Sequence, residues 1–461
     1  MATKDLAGWD EIRSPYSGDV VGRAKVASAE DARRAIDAAE RAMLSPLPAH
    51  ERAAILERVS AAIAERGDEL AGMICAEAGK PIKAARVEAA RAVETYRAAA
   101  DVARTLTGET VPLDASPAGD GKLGFTLRLP IGIVGAITPF NFPLNLVAHK
   151  LAPALAAGSA VVLKPAPGTP LTALLLAELT AAAGLPEGWL SVLHGPAAEI
   201  GEVLVEDERV KALTFTGSGP VGWSLRARAP HKRVLLELGN STPLIVAADA
   251  DLEAAAAAAA RTAFAYSGQA CISLQRIYVQ RDVYEAFIDL FLPKVAALVV
   301  GDPADEATDV GPVIDTRSRD RILDWIERSG GEVLTGGALT PDGLIPPTVV
   351  ANPHRQSELS CAEAFGPVCT LQPYETEDEV FEAANATPYG LQAGIFTRDL
   401  ALALRAARRL EFGGVTVNEA PSWRVDHMPY GGIKESGNTR EGPRAAVREL
   451  TEERLIVIDL G

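Results

Sequence analysis

The stretch IGIVGAITPFNFPLNLVAHKLAPALAAGSAVVLKP, residues 131–165, holds two short apolar runs separated by a longer segment. The runs IGIVGAIT and SAVVLK are typical of buried strands, and we expect a helix to begin near Pro143 between them. Strand–helix–strand units of this kind form mostly parallel sheets with helices on both faces. Such sheets bind ligands at the carboxyl ends of their strands, so the stretch predicts an α/β fold with its ligand site there.

The same alternation continues toward Gly239, and a second alternating block runs from about Asn240 to Gly432. Helices are expected near Pro170, Ala197 and Pro220, and across the alanine run 254–260. The further predicted strands are LSVLHG (190–195), VKALTFT (210–216), RVLLELG (233–239), RIYVQ (276–280), GEVLT (331–335), PVCTLQPY (367–374), AGIFT (393–397) and GGVTVN (413–418).

The first third of the chain is predicted to be helical. Ser28 and Asp31 resemble a capping box, and apolar residues at helical spacing continue over about 52–106, interrupted near 79–81. The turn-rich stretch LDASPAGDGKLG (113–124) separates this part from the alternating blocks. The tail ERLIVIDL (453–460) is a predicted strand without a local partner, so it needs a distant one, in this subunit or another.

Composition narrows the class of protein. The 461 residues suggest two to four domains, with 48% hydrophobic and 23% charged residues as in ordinary globular proteins. The net charge of −16 argues against nucleic acid or an anionic membrane as the main partner. The opening MATKDLAGWD has no apolar core typical of a signal peptide, and residues 131–148 are interrupted by prolines and asparagines and make a poor membrane span.

Four cysteines are too few and too scattered for a disulfide framework or a zinc cluster. We therefore expect no metal site. A reducing, cytoplasmic location suits such a chain, and its composition is that of a metal-free enzyme.

The first candidate motif is GSGPVG (217–222), a GxGxxG sequence after a predicted strand and before a predicted helix. Glu237 lies twenty residues further on, where a dinucleotide fold keeps its ribose-binding acid. A plain glycine-rich turn explains the motif as well as phosphate binding does.

Three further residues carry possible chemistry. Cys271, in SGQACIS (267–273), is either an exposed nucleophile activated by backbone donors or a buried core cysteine. Asn141 follows a predicted strand, where its amide can donate to an oxyanion, and Lys164 ends another strand, where its ammonium can face a ligand. Taken singly, Asn141 is better explained as a turn residue and Lys164 as a solvated charge.

Eight motifs in one order bring these residues together. They are TPFNFP (138–143), VVLKPA (161–166), FTGS (215–218), LELG (236–239), GQAC (268–271), EAFGPV (363–368), VTVN (415–418) and PYGGIKESG (429–437). Their order and spacing closely resemble the aldehyde dehydrogenase superfamily, in its NAD(P)-dependent hydrolytic type, over nearly the whole chain. The resemblance implies oxidation of an aldehyde to a carboxylic acid.

The resemblance also implies the catalytic roles. Cys271 is the nucleophile that forms a thiohemiacetal, from which hydride leaves to give a thioester. Asn141 and the backbone N–H of Cys271 form the oxyanion hole. Glu237 activates the water that hydrolyses the thioester, which replaces the ribose-binding role that the GxGxxG spacing suggests.

For the cofactor, the resemblance implies that Lys164 binds the adenosine ribose, that Ser218 and the turn from Gly217 to Gly222 bind the pyrophosphate, and that Glu363 holds the nicotinamide ribose beside Phe365. The remaining cofactor contacts are expected at Thr138, Pro139 and Phe140. Pro167 stands where NAD-preferring relatives often have a glutamate. Both NAD and NADP therefore stay open, with NAD the first expectation.

Substrate residues are expected in the helix after Asn141 and in EAPSWRVDHM (419–428). The candidates are Phe142, His149, Arg424 and His427. The arginine and histidine of that loop suit an anionic group on a short aldehyde, because a guanidinium binds such groups bidentately. The alternative is that Arg424 pairs with Asp426 or faces solvent, and Phe142 equally fits a neutral substrate.

The expected architecture is α/β, with a Rossmann-like cofactor domain (1–111 and 131–238), a second α/β catalytic domain (239–432) and a small β oligomerisation element (112–130 and 450–461). That element implies a homodimer or homotetramer. Two rival activities stay open: a CoA-acylating dehydrogenase, against which Glu237 speaks, and a cysteine hydrolase, which leaves the dinucleotide motifs unexplained. A structural role for a retired enzyme fits the site residues least.

Overall fold

The structure is a computed structural model that describes residues 8–461. Its strands are β1 Trp9–Arg13, β2 Val20–Lys25, β3 Thr110–Val111, β4 Lys122–Pro130, β5 Ile133–Ile137, β6 Val161–Lys164, β7 Leu190–Val192, β8 Val210–Thr216, β9 Arg233–Glu237, β10 Thr242–Val246, β11 Leu274–Gln280, β12 Glu332–Thr335, β13 Thr348–Ala351, β14 Val368–Tyr374, β15 Tyr389–Gly390, β16 Gln392–Phe396, β17 Gly414–Val417, β18 Ile433–Lys434 and β19 Thr451–Asp459.

The helices surround these strands. They are α1 Ala29–Met43, α2 Ala49–Glu65, α3 Gly67–Ala78, α4 Ile82–Thr105, α5 Asn145–Ala157, α6 Leu171–Ala182, α7 Ala197–Glu206, α8 Gly219–Arg228, α9 Leu252–Phe264, α10 Tyr284–Ala296, α11 Thr316–Glu327, α12 Glu358–Cys361, α13 Glu377–Asn385, α14 Leu400–Arg409 and α15 Pro443–Glu449.

The stretch that opens the sequence analysis lies at the centre of a five-stranded parallel sheet. The strand order is β7-β6-β5-β8-β9, so β5 lies between β6 and β8. All four strand pairs are parallel. Helices α1 to α7 pack with this sheet into one apolar core. The predicted α/β alternation is confirmed, and the carboxyl ends of β5, β8 and β9 meet at one edge.

A seven-stranded sheet forms the second α/β unit, in the order β12-β13-β14-β11-β10-β16-β17. Only β12 pairs antiparallel. Side chains of β10 alternate between two cores, Leu244 and Val246 on one face and Ile245 on the other. The alanine run is part of α9, as predicted. The central strand β10 itself was not predicted.

The tail strand finds its partner within its own chain. β19 pairs antiparallel with β4 over nine residues, from Thr451 opposite Pro130 to Asp459 opposite Lys122. β3 pairs with the other edge of β4 and completes a three-stranded ribbon. The partner of the tail is therefore distant in sequence, as expected, and belongs to the same subunit.

The N-terminal third is helical from Ala29 onward, but it begins with a hairpin of β1 and β2 that was not predicted. The capping box of Ser28 and Asp31 is confirmed at the start of α1. The predicted interruption lies at Gly79, which ends α3 with φ +63°. A Cβ there would lie 2.7 Å from the side chain of Pro15 and from that of Pro312, so glycine also permits close packing.

Residues 8–461 contain neither a membrane-spanning helix nor a cluster of metal-ligating side chains. No helix in this part of the chain is long and apolar enough to cross a bilayer. Among the same residues, no group of three or more His, Cys, Asp or Glu side chains is placed to hold a metal ion. The expectation about the opening segment concerns residues 1–10, and of these 1–7 lie outside the described part.

Candidate active site

A cavity of about 240 Å³ lies where the carboxyl edge of the five-stranded sheet faces the start of β11. It brings together residues from five of the eight motifs, although these are scattered along the chain. Its lining residues are Pro139, Phe140, Asn141, Leu146, Thr216, Gly217, Ser218, Glu237, Leu238, Gly239, Cys271, Glu363 and Phe365.

Cys271 is presented by a tight turn between α9 and β11. Tyr266 and Ser267 both have positive φ angles, 49° and 54°. The Ser267 hydroxyl donates to the carbonyl of Gly311 at 2.8 Å, and the Tyr266 hydroxyl donates to that of Ala78 at 3.1 Å. Two buried hydrogen bonds thus hold a backbone conformation that non-glycine residues rarely adopt, as is common at functional sites.

The Cys271 thiol is half-buried, and its Sγ lies 2.9 Å from the Tyr430 hydroxyl. Burial raises its pKa well above the usual value, and the nearby charge of Glu237 raises it further. The Tyr430 hydrogen bond and the positive charge of Arg424 oppose this rise, since both favour the thiolate.

Glu237 is the last residue of β9 and is 1% exposed. Neither of its carboxyl oxygens has a hydrogen-bond partner among the described residues. Burial raises its pKa well above the usual value, with a further rise from Glu441, while Arg424 and Lys150 lower it. An unpaired buried carboxyl of this kind is suited to bind and deprotonate a water molecule.

Asn141 follows β5 and is 3% exposed. Its amide nitrogen donates one hydrogen bond to the Gln269 carbonyl at 2.9 Å. The side-chain oxygen has no partner in the described part of the chain. The first N–H therefore fixes the amide on the cysteine turn, and the second N–H is left for a ligand in the cavity.

A buried charge network behind the cavity was missed in the sequence analysis. The ammonium of Lys150, on α5, lies 3.6 Å from a carboxyl oxygen of Glu441 and donates to the Thr214 hydroxyl at 3.2 Å. Burial alone would raise the pKa of Glu441, but Lys150 and Arg424 lower it below the usual value. The signal for Lys150 was a charged residue inside an otherwise apolar helix, whereas nothing in the sequence marked Glu441.

Arg424 does not pair with Asp426 or face solvent, so that interpretation is wrong. Its side chain is 6% exposed, bonds Glu441 at 3.2 Å and stacks on Tyr430, with the guanidinium carbon 3.8 Å from the ring centroid. A second bond, 3.2 Å long, joins it to His149. Its Nε has no partner among the described residues.

Asp426 instead accepts two hydrogen bonds from Arg91, at 2.8 and 3.1 Å, and one from the Asn145 amide at 2.9 Å. The ring of His149 lies 2.9 Å from the same carboxylate and is buried. Burial and the Arg424 charge lower the pKa of His149, so the ring is neutral near pH 7 despite this contact.

None of the four substrate candidates is among the residues that line the cavity. His427 is exposed and outside the lining, so the structure does not bring it to the site. Phe142 also lies outside the lining and packs edge-to-face on Tyr266, with ring centroids 6.2 Å apart. Arg424 and His149 lie behind the cavity, next to the groups that surround Cys271.

A larger groove of about 570 Å³ continues from the cavity over β5, β6 and the starts of α7 and α8. Thr138, Pro139 and Gly217 line it together with Lys164 and Pro167. The Lys164 ammonium is buried and bonds the adjacent Pro165 carbonyl at 3.2 Å, and burial lowers its pKa. Ser218 precedes α8 without capping it.

Three further cofactor candidates, Glu363, Phe140 and Phe365, line the cavity, whereas Gly222 is in the lining of neither the cavity nor the groove. A Glu363 oxygen accepts from the backbone N–H of Asn240 at 2.9 Å, and burial raises the Glu363 pKa to about 7. The Phe140 and Phe365 rings meet edge-to-face, with centroids 5.8 Å apart. Glycine at position 222 is required for close packing against Leu238, because a Cβ there would lie 2.6 Å from Leu238 Cδ2.

These residues fit a dinucleotide. The hydroxyls of Thr138 and Thr216 are buried without a partner among the described residues, and both face a region lined by glycine and proline. A buried ammonium bonded only to its neighbour's carbonyl, together with orphaned hydroxyls, is suited to ribose and phosphate oxygens.

Two α/β units therefore meet at a cavity that holds a cysteine and a buried glutamic acid, with a groove of about 570 Å³ beside it. The model of the aldehyde dehydrogenase family matches residues 7–456, and the chain belongs to that family. It is 44% identical over 454 residues to a 3-sulfolactaldehyde dehydrogenase of Priestia megaterium, covering 98% of this chain and 95% of the relative.

Solved structures show the same fold. Glyceraldehyde-3-phosphate dehydrogenase GapN from Methanocaldococcus jannaschii, complexed with NADP, is 40% identical with a TM-score of 0.93, and the match covers 97% of this chain and 98% of that one. Aldehyde dehydrogenase 21 from Physcomitrella patens, in complex with the reaction product succinate, is 40% identical with a TM-score of 0.95, over 99% of this chain and 96% of that one.

Proposed function

We propose that this aldehyde dehydrogenase oxidises a small aldehyde to a carboxylic acid with NAD or NADP through a covalent bond to Cys271. The observation that carries the proposal is that Cys271, Glu237 and Asn141 line one cavity of about 240 Å³. In it a nucleophile, a base and an amide donor face the same small volume, as a covalent acyl-transfer site requires.

The Cys271 sulfur attacks the aldehyde carbon, and the carbonyl oxygen becomes an oxyanion. The free N–H of the Asn141 amide and the backbone N–H of Cys271 stabilise that oxyanion. A nicotinamide held beside Glu363 and Phe365 would supply the acceptor for the hydride that leaves the carbon, and a thioester on Cys271 would remain. Hydrolysis of the thioester then releases the acid.

Glu237 performs the second half of the reaction. Its carboxylate takes a proton from a water molecule while the water oxygen attacks the thioester carbon, and the sulfur leaves as thiolate. Lys150 supports the charged form of Glu237, whereas burial and Glu441 favour the neutral form. These opposing effects keep the carboxyl able to accept a proton and release it again.

The groove supports either nucleotide. We assign Lys164 to the ribose hydroxyls of the adenosine, Ser218 to the pyrophosphate and Glu363 to the ribose of the nicotinamide. The uncharged Pro167 occupies the position from which a carboxylate would repel a 2′-phosphate. The acid that does line the groove, Glu202, is bonded to Arg228. Turnover with NAD and with NADP at equal concentration measures the preference.

The substrate is a small aldehyde with a hydroxyl or an anionic substituent. Arg424 lies behind the cavity lining, where it stacks on the Tyr430 ring whose hydroxyl bonds Cys271 Sγ, and its Nε is a donor without a partner among the described residues. A buried guanidinium donor is suited to a sulfonate, phosphate or carboxylate oxygen. Three similar proteins are named for, or bind, compounds that carry such a group: sulfolactaldehyde, glyceraldehyde-3-phosphate and the reaction product succinate.

The test compares two short aldehydes of matched length, one neutral and one anionic, with each nucleotide. An anionic preference of about tenfold or more in kcat/KM, about 1.4 kcal/mol, supports the anion site. A neutral preference overturns it. Absence of reduction with every combination contradicts the dehydrogenase mechanism at Cys271. Stimulation by coenzyme A would identify the acylating rival.

We propose that 1–111 and 131–238 bind the cofactor, 239–432 supply the nucleophile, and the ribbon of 112–130 and 450–461 joins subunits. The ribbon edge β19 and the sheet edge β17 both expose apolar side chains, Leu455 at 51% and Val417 at 42%. Pairing of β19 with β17 of a second copy would cover both edges. Light scattering that found a monomer would contradict this homodimer or homotetramer.

The cytoplasm is the compartment that suits this mechanism. The thiolate chemistry requires Cys271 to stay reduced, and Cys75, Cys361 and Cys369 are also free thiols. Reducing conditions of that kind prevail in the cytosol. Fractionation of cells that produce the enzyme, with activity assayed in each fraction, tests the location.

A further inference from the structure

We infer that Tyr430 is a further catalytic residue, whose hydroxyl donates a hydrogen bond to the Cys271 sulfur and favours its thiolate form before the aldehyde arrives. The inference rests on the proposed role of Cys271 as the nucleophile. Tyr430 belongs to the motif PYGGIKESG, but the motif by itself does not indicate a chemical role for its hydroxyl.

The geometry gives the Tyr430 hydroxyl one partner. The residue is 3% exposed, and its Oη lies 2.9 Å from Cys271 Sγ. No other hydrogen bond of this hydroxyl occurs in the described part of the chain. A phenol has an ordinary pKa near 10 and a thiol one near 8.5, so the shared proton stays on oxygen when one of the two ionises. The phenol is therefore the donor and the thiolate the acceptor.

Arg424 acts on the sulfur through this phenol. Its guanidinium carbon lies 3.8 Å from the Tyr430 ring centroid, and Glu441 holds the same guanidinium at 3.2 Å. A cation over the ring face draws on the electron density of the ring and makes the hydroxyl a stronger donor. Arg424 is in this respect a positioning residue, locked in place by Glu441.

The other charged groups around Cys271 have opposite effects on the pKa of its thiol. Burial and the negative charges of Glu237 and Glu441 raise the pKa of the thiol, and Arg424 lowers it. Lys150 faces both carboxylates from α5 and offsets part of their charge. Among residues 8–461, the Tyr430 hydroxyl is the group that forms a hydrogen bond with the sulfur, whereas the two cations are bonded to Glu441.

Burial, together with Cys271 and Glu237, raises the pKa of Tyr430, so the hydroxyl stays protonated and keeps its donor hydrogen. Once the sulfur has attacked, it carries two carbon substituents and is a weak acceptor. The hydrogen bond then loses most of its strength. The contact thus favours the free thiolate over the thiol and does not trap the later thioester.

The test compares wild type, Tyr430→Phe and the control Tyr374→Phe. Tyr374 is also buried, but its hydroxyl bonds the Val246 carbonyl at 3.4 Å, away from the cavity. Iodoacetamide alkylation of Cys271 is followed against pH by mass spectrometry of its own peptide, so that the other three thiols do not interfere. The burst of reduced nucleotide at pH 7 is measured beside it.

We expect Tyr430→Phe to move the alkylation profile upward by about one pH unit and to slow the burst about tenfold at pH 7, because tenfold less thiolate is present. Tyr374→Phe should match wild type in both. A Tyr430→Phe profile that coincides with wild type overturns the inference and leaves Tyr430 a packing residue. Full wild-type turnover after Cys271 is alkylated contradicts the proposed function instead.

A second variant covers the case in which Tyr430→Phe does not fold. Arg424→Lys keeps a cation beside Glu441 but loses the planar group that stacks on the ring. The alkylation profile should again move upward, by a smaller amount, and Lys434→Arg serves as its control because Lys434 pairs with Glu411 outside the cavity. An unchanged Arg424→Lys profile would overturn the assigned link between the cation and the sulfur.

Discussion

The ammonium of Lys80 lies 3.6 Å from the centroid of the Phe142 ring, one residue beyond Asn141. Lys80 also forms a fully buried ion pair with Glu88. The other oxygen of Glu88 accepts from the backbone N–H groups of Leu144 and Asn145, at 2.9 and 3.0 Å. The buried Lys80–Glu88 pair therefore fixes both the Phe142 ring, which follows Asn141, and the N-terminus of α5.

Replacing Lys80 by Met should lower the free energy of unfolding by about 3–5 kcal/mol, because it leaves the buried Glu88 carboxylate without its partner. Urea denaturation measures the loss. Lys83→Met is the control, since Lys83 pairs with Asp309 at the surface and should cost about 1 kcal/mol or less. Equal costs for the two variants would show that the Lys80 pair contributes no more than a surface pair.

Glu237→Gln should separate the two halves of the reaction. The first burst of reduced nucleotide is retained because Cys271 and Asn141 are intact, while steady turnover falls because no carboxylate activates water. Rapid mixing followed by steady-state assay of one sample measures both. Normal turnover by the variant once nucleotide is raised would show that Glu237 binds ribose and is not the base.

Asn141→Ala should reduce kcat/KM by about 10²–10³, or about 2.7–4 kcal/mol, because the oxyanion loses its side-chain donor. Asn385→Ala is a matched control, because Asn385 ends α13, donates its amide to the Arg409 carbonyl at 2.9 Å and is not among the residues that line the cavity. The burst itself should slow in Asn141→Ala. A normal burst with slow release would place the amide in the second half of the reaction.

Glu77 should make stability fall as the pH rises. Its buried carboxyl accepts from the N–H groups of Leu171 and Thr172 at 2.7 and 3.0 Å, and burial raises its pKa to about 7. The folded pKa exceeds the unfolded one, so the favourable contribution is complete below about pH 4.5 and is lost as pH rises through about 7. Wild type should therefore lose up to about 3 kcal/mol relative to Glu77→Gln between pH 4.5 and 8.

The measurement is the difference in unfolding free energy between wild type and Glu77→Gln at several pH values. The cost of replacing a capping oxygen is independent of pH and cancels in the trend. A constant difference across this range would mean that Glu77 titrates no higher in the folded protein than in the unfolded chain.

Gly268→Ala should be far more costly than Gly343→Ala. Both glycines have left-handed φ angles, +69° and +76°. A Cβ on Gly268 would overlap the carbonyl oxygen of Gly366, whereas one on Gly343 meets nothing within 4 Å. Gly343→Ala should cost about 1–2 kcal/mol for its backbone alone, and Gly268→Ala at least about 2 kcal/mol more. Denaturation curves compare them, and equal costs would contradict the predicted overlap.

Most strands could be predicted because their apolar runs are local signals. β10 could not, since Pro243 within the strand argues against a central position. The structure accommodates it with a register shift between Thr242 and Pro243 in the pairing with β11. The β1–β2 hairpin was missed because it is largely exposed and lacks the alternation of a half-buried strand.

The candidate site also contains residues that could be predicted from the sequence and residues that could not. Cys271, Glu237 and Asn141 could be named because each lies in a short motif that a single sequence shows. The ion pair of Lys150 with Glu441 joins positions almost three hundred residues apart, and no local pattern contains that pairing. The orientation of the Arg424 side chain could not be predicted either, because tertiary packing pairs it with Glu441 and not with the nearby Asp426.

The position of Arg424 limits how the substrate range of this enzyme can be changed. The Arg424 guanidinium is bonded to Glu441, and Glu441 is in turn paired with Lys150 beside the base. A substitution made in this loop to admit a different aldehyde therefore also alters proton transfer at Glu237. Directed evolution of substrate range would have to select loop variants together with compensating changes on α5, since a loop grafted alone would change the rate of acyl release.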